Sequence, residues 1–135
     1  MNTKGNKTMD MIDNILNGKV QTFEDGYYIY SSRPQMGFEV ERQTGAVDLI
    51  LYPNIDNVDL RVLRGFEHLV FTHRKKVIVI QGKNLRPILK AIMGHKVQTI
   101  RDFSEGDLGA DEPVIDHIQV GNMEDRLLSL DQAPN

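Results

Sequence analysis

The apolar positions change their period several times along the chain, and each change marks an element. Near the start, Thr8 stands as a cap before Met9, Ile12, Ile15 and Leu16, which recur at helical spacing. Asn17-Gly18 supplies a stop, so one short helix is expected over residues 8–17. From Tyr27 the period shortens. Residues 27–32, 36–42 and 46–52 are rich in aromatic and branched side chains separated by turn formers, the pattern of three strands. Gln43-Thr44-Gly45 has the length and composition of a hairpin turn, Arg33-Pro34-Gln35 makes a looser connection, and an antiparallel meander follows.

Residues 53–57 read as a loop. Over 58–64, Val58, Val62 and Leu63 suit a short helix while Leu60 and Val62 alternate as in a strand; the helix is the preferred expectation. Residues 66–73 and 76–81 form two strands about a tight turn at Arg74-Lys75. The run Val77-Ile78-Val79-Ile80 predicts burial on both faces and a central place in the sheet. Gly82 ends that strand, and Asn84 opens a helix with Leu85, Ile88, Leu89 and Ile92 on one face, Pro87 in the tolerated first turn and Gly94 as its close. Val97, Ile100 and Phe103 then recur every three residues, which predicts a short helix or an irregular extended stretch that buries all three. Residues 104–113 have the composition of a loop, 114–120 fit an edge strand, and 123–130 fit a turn or two of helix.

The resulting order, α-β-β-β-(α)-β-β-α, packs most simply as an α+β fold: an antiparallel sheet of about five strands with helices on one side. A small bent β-barrel with an N-terminal helix gives nearly the same order and is the alternative. Residues 1–103 are expected to form a single globular domain. Residues 104–135 form an acidic C-terminal segment of loop, edge strand or partial disorder. A chain of 135 residues suffices for one core without staples, and it contains no cysteine. That excludes disulfides, a thiolate metal site and a cysteine nucleophile, and it fits a cytoplasmic setting. The opening residues 1–9 are polar with two lysines, so no secretory leader is expected. The longest aliphatic run is four residues, far below the roughly 20 a spanning helix needs, so no membrane partner is expected.

Charge alters the picture more than composition does. Residues 1–59 carry five basic and nine acidic groups, residues 60–101 carry ten basic groups against Glu67 alone, and residues 102–135 carry Arg126 against nine acids. The basic segment spans the second hairpin and the helix after it. Arg74, Lys75, Lys76, Lys83, Arg86 and Lys90 are the candidate anion-binding residues, on the expectation that they share one exposed face. Asn84 at the helix start adds backbone N–H groups suited to a phosphate. The matching partner is a polyanion, either nucleic acid or an acidic protein, and the acidic C-terminal segment is placed to modulate access.

Other chemistry finds little support. His68 and His73 lie five apart in one expected strand and so point to opposite faces, and no metal-spacing motif is present. No serine sits in a nucleophile turn, and Gly82-Lys83-Asn84 lacks the glycine-rich loop of a phosphate-binding P-loop. No catalytic residue, metal ligand or cofactor is assigned. The reading is a non-catalytic binding module with a basic patch and an acidic tail. Its alternative is a protein–protein adaptor or small chaperone-like protein using the strand that carries Tyr27, Tyr28 and Tyr30, with a small enzyme third. The sequence leaves the oligomeric state open between monomer and homodimer.

Overall fold

A computed structural model describes residues 21–104 and 111–122. The helix expected over 8–17, the turn of helix expected over 123–130 and most of the loop beyond 104 lie outside the described residues. Nine strands and one α-helix follow in the order β1 (Thr22–Asp25), β2 (Tyr28–Ser31), β3 (Gly37–Glu41), β4 (Val47–Leu51), β5 (Ile55–Leu63), β6 (Phe66–His73), β7 (Lys76–Lys83), α1 (Arg86–Met93), β8 (Val97–Arg101) and β9 (Val114–Asn122). A 3-10 turn, Tyr52–Asn54, links β4 to β5.

The strands divide into two sheets, β1-β2-β8-β3-β4 and β5-β6-β7-β9. All neighbours are antiparallel except β3 and β8. The expected α+β arrangement, one sheet with helices on one side, is therefore overturned: the described fold is mainly β, in two sheets with a single helix. The bent barrel is not formed either, since the two sheets share no strand. One apolar core lies between them, built from Phe38, Val40 and Ile50 of the first sheet, Leu69, Phe71, Ile78 and Ile80 of the second, and others. The helix closes this core with Leu85 just before it and Ile88 and Ile92 one turn apart, all fully buried, while Arg86, Lys90 and Met93 face out.

Two strands stand where the sequence pattern pointed elsewhere, and each carries a bulge. Residues 58–64 belong largely to β5, not to a helix, because β6 offers a long antiparallel partner. The ladder slips between Asp56 and Asp59, where Asn57 takes a left-handed conformation (φ 54°), and this breaks the strand alternation. The stretch after α1 is a strand at the centre of the first sheet. Tyr30 pairs with Val97 but Ile29 with Thr99, so Gln98 is an extra residue and the buried Val97 and Ile100 fall three apart, not two. Phe103 beyond it is half-buried, with the Arg101 guanidinium over its ring. The strand β1 carried no sequence signal strong enough to place it.

The central hairpin formed as its pattern predicts. The four aliphatics of β7 are all buried, and β7 lies between β6 and β9. Residues 114–122 form the edge strand beside it, with Ile115 and Ile118 in the core. Gly82 marks a close approach of β7 to β9: the ladder shifts between Gln81 and Gly82, and a Cβ built on Gly82 would lie 1.9 Å from the Val114 carbonyl oxygen. Backbone on both sides leaves nothing able to give way. Gly82→Ala is expected to cost about 3 kcal/mol, near the upper end of overpacking, read as a lowered urea midpoint with unchanged slope.

Candidate functional site

The six candidate cations do not share one face. Arg74 and Lys75 form the tight turn between β6 and β7 and Lys76 opens β7, whereas Lys83 ends β7 and Arg86 and Lys90 lie on α1 beyond it. An eight-residue strand separates the groups by roughly 23 Å at the usual rise. All six side chains are exposed, and among the described residues none of them is held in an ion pair. Two other cations of the basic segment are: Arg61 bonds Asp59 and Arg101 bonds Glu24.

The helix group offers no phosphate cradle. The N–H groups of Asn84 and Leu85, which the sequence placed at an anion site, donate to the Glu67 carboxylate at 3.2 and 2.9 Å. Glu67, the single acid of the basic segment, therefore occupies the positive end of α1 from within the molecule.

The turn group is different, because it borders a cleft of about 570 Å³. One wall is β4, the outermost strand of the first sheet; the other is the β6–β7 turn with Val120 and Asn122 of β9. On β4, Val47 and Leu49 are 57% and 63% exposed. They lie opposite Glu41 and Glu39 of β3, on the face away from the buried Phe38 and Val40. Asp48 between them bonds Arg42, which cancels its charge and leaves the cleft positive. This strand carried a visible sequence pattern, but its position at a sheet edge did not show there.

His73 joins the walls. It is a buried residue whose Nε2 accepts the backbone N–H of Leu51 at 3.0 Å, a bond from the end of β4 to the end of β6. Accepting at Nε2 requires the neutral ring with its proton on Nδ1. Burial first, then the charges of Arg74 and Lys76, lower the His73 pKa from its ordinary value. Tyr52 braces the same region, its hydroxyl donating to the Val97 carbonyl at 2.9 Å and its ring stacked on His95 at 4.5 Å. His95, and not Gly94, takes the left-handed position (φ 59°) that ends α1, with His95 N–H to Ile92 and Lys96 N–H to Ala91 completing the motif.

The tyrosine strand is committed to the interior. Tyr28 is 4% exposed within the core and Tyr27 and Tyr30 are half-buried against it, so this strand offers little surface to a partner. Burial, with Asp25 beside it, pushes the Tyr28 hydroxyl above its ordinary pKa, and Asp25 is itself raised by burial and by Glu112. Among the described residues no group of three or more His, Asp or Glu is arranged to hold a metal ion, and no helix is long and apolar enough to cross a membrane. No family model matches the chain, and neither does any curated protein or solved structure.

Two outcomes are expected. In the unfolded chain His73 takes up a proton near its ordinary pKa, while the folded chain resists it, so unfolding binds a proton and stability falls as pH drops below about 6.5. The loss cannot exceed about 1.4 kcal/mol per pH unit for one site; urea unfolding at pH 7.5 and 5.5 should show it, and His73→Gln, which keeps an acceptor but does not titrate, should flatten it. Arg74 holds φ 61°, a left-handed conformation that costs a non-glycine residue about 1 kcal/mol. Arg74→Gly should recover that energy as a raised thermal midpoint.

Proposed function

We propose that this chain is a non-catalytic binding module that captures an acidic segment of another protein in the cleft between β4 and the β6–β7 turn. The observation that carries this is the juxtaposition of three unpaired cations, Arg74, Lys75 and Lys76, with an edge strand bearing exposed Val47 and Leu49. Cations supply long-range attraction and sign, while the apolar strand supplies area that leaves water on contact. Such a surface fits a segment carrying both acids and apolar groups.

The same features weigh against a nucleic-acid backbone. A row of phosphates is matched by a row of cations, and here the six divide into two groups with a whole strand between them. The helix group, its N–H donors already taken by Glu67, is ordinary solvated surface in this reading. The acidic C-terminal segment competes for the turn cations: β9 ends at Asn122, on the wall of the cleft, and the sequence beyond adds Glu124, Asp125 and Asp131. The cytoplasmic setting is inferred from a chain without cysteine, and it goes with an intracellular partner.

A fluorescent peptide of mixed glutamate and valine, titrated into the full chain, tests this. Binding should weaken steeply between low and high salt, and Lys75→Ala with Lys76→Ala should weaken it about tenfold. At about 0.15 M salt, replacing Lys83, Arg86 and Lys90 by alanine should change it less than about twofold, since those charges then lie more than a Debye length away. Removing residues 123–135 should strengthen it. Unchanged affinity in the Lys75/Lys76 variant would reject the site.

A further inference from the structure

We infer that the acidic partner binds as a sixth strand of the first sheet, hydrogen-bonded along the free edge of β4, with acidic and apolar side chains in alternation. This rests on the cleft being a site for an acidic segment, and it adds that segment's conformation and sequence pattern. Strand addition needs an edge that is regular, apolar enough to shed water and unguarded.

Among the described residues four strands end sheets, and three of them are guarded. β1 has four residues, two of them Glu24 and Asp25. β5 is broken by the slip at Asn57 and flanked by Asp56 and Asp59. β9 slips opposite Gln81 and Gly82, where Asp116 is the extra residue. β1 keeps its register but is short and acidic; β4 keeps an unbroken register with its neighbour over five residues, and its one acid is engaged by Arg42.

The backbone of β4 faces the right way. In an antiparallel ladder, alternate residues turn their N–H and C=O toward the neighbour and those between turn theirs outward. Arg42 N–H donates to the Ala46 carbonyl at 2.9 Å and Tyr52 N–H to that of Met36 at 3.0 Å, so positions 46, 48, 50 and 52 face β3. Val47, Leu49 and Leu51 then face outward. Leu51 agrees, since its N–H crosses the cleft to His73 Nε2. The groups of Val47 and Leu49 have no partner among the described residues and are ready to pair with an incoming strand.

Period-two alternation sorts the partner's side chains. One set lies on the side of Asp48 and Ile50, toward Arg74, Lys75 and Lys76, and takes acids. The other set lies beside Val47 and Leu49, with cross-strand packing against both. A second hollow of about 310 Å³, flanked by Val47 and Phe103 at the β3–β4 turn, stands at the end of that apolar row and has room for one large side chain.

The test uses the full chain and a fluorescent nonapeptide of alternating glutamate and valine, followed by anisotropy at low salt. Two further peptides carry N-methyl groups on the glutamates or on the valines, which removes backbone donors from one edge of the strand at a time. One methylated peptide should lose binding by at least about tenfold while the other stays within about twofold of the parent. Leu49→Pro, which deletes an outward N–H without touching the β3 ladder, should reproduce the loss with its circular dichroism unchanged. Equal binding of both methylated peptides would overturn strand addition and leave acidic capture standing. No binding of the parent peptide would overturn both.

Discussion

Phe38 of the first sheet meets Phe71 of the second nearly edge-on, with ring centroids 5.9 Å apart, and Tyr52 closes on the same Phe38 at 5.3 Å. These rings hold the sheets face to face, and Ile78, Ile80 and Ile88 fill the space around them without exposure to water. Neither sheet has a use for its apolar face without the other, and α1 is too short to persist alone, so burial in this shared core is what keeps all three in place. The geometry of the proposed site descends from it. Once the sheets are pressed together, β4 has no strand neighbour on its far side among the described residues, and the β6–β7 turn is brought across from it at the seam where the sheets part.

The sequence made the centre of the fold legible and hid its margins. Four β-branched aliphatics in a row between turn signals fit a strand covered on both sides, and Asn84 to Gly94 has a buried stripe at helical spacing; both stand where expected. Residues 58–64 and 97–101 misled for different reasons. Gln98 is an extra residue that shifts the phase of the buried positions in β8, whereas in 58–64 the strand alternates regularly at Val58 and Leu60 and the exposed apolar pair Val62 and Leu63 imitated a helical spacing. Pairing across long sequence separations then decided what local period could not. The division into two sheets is also a long-range property: β3 lies parallel to β8, some sixty residues later, and nothing in either segment announces the other.

The site divides the same way. That Arg74, Lys75 and Lys76 are exposed cations on a turn was legible, because a two-residue connection between buried strands has nowhere else to put them. That Lys83, Arg86 and Lys90 belong to a different surface was not, since it depends on β7 running straight from one group to the other. The solitary acid among ten bases proved to be the most informative residue of the segment. Glu67 is placed by β6 beside the start of α1, where it satisfies two N–H groups that an external anion would otherwise have sought.

Arg74 ties energetics to function. A two-residue hairpin turn usually gives its left-handed position to glycine or asparagine, as Gly65 does in the neighbouring turn, where it follows a left-handed Arg64. At the β6–β7 turn the same conformation is imposed on a long cation with a Cβ, at a cost the fold must offset elsewhere. Glycine would relieve that strain and remove one of the three charges at the mouth of the cleft. Next to it His73 is buried and neutral, the state in which its Nε2 accepts the Leu51 N–H and holds β4 against β6. Two adjacent residues thus sit in states that stability alone would choose differently in one case and require in the other. The strained one lines the cleft with its charge and the relaxed one ties the cleft's two walls together, which is the division of labour the proposed binding surface requires.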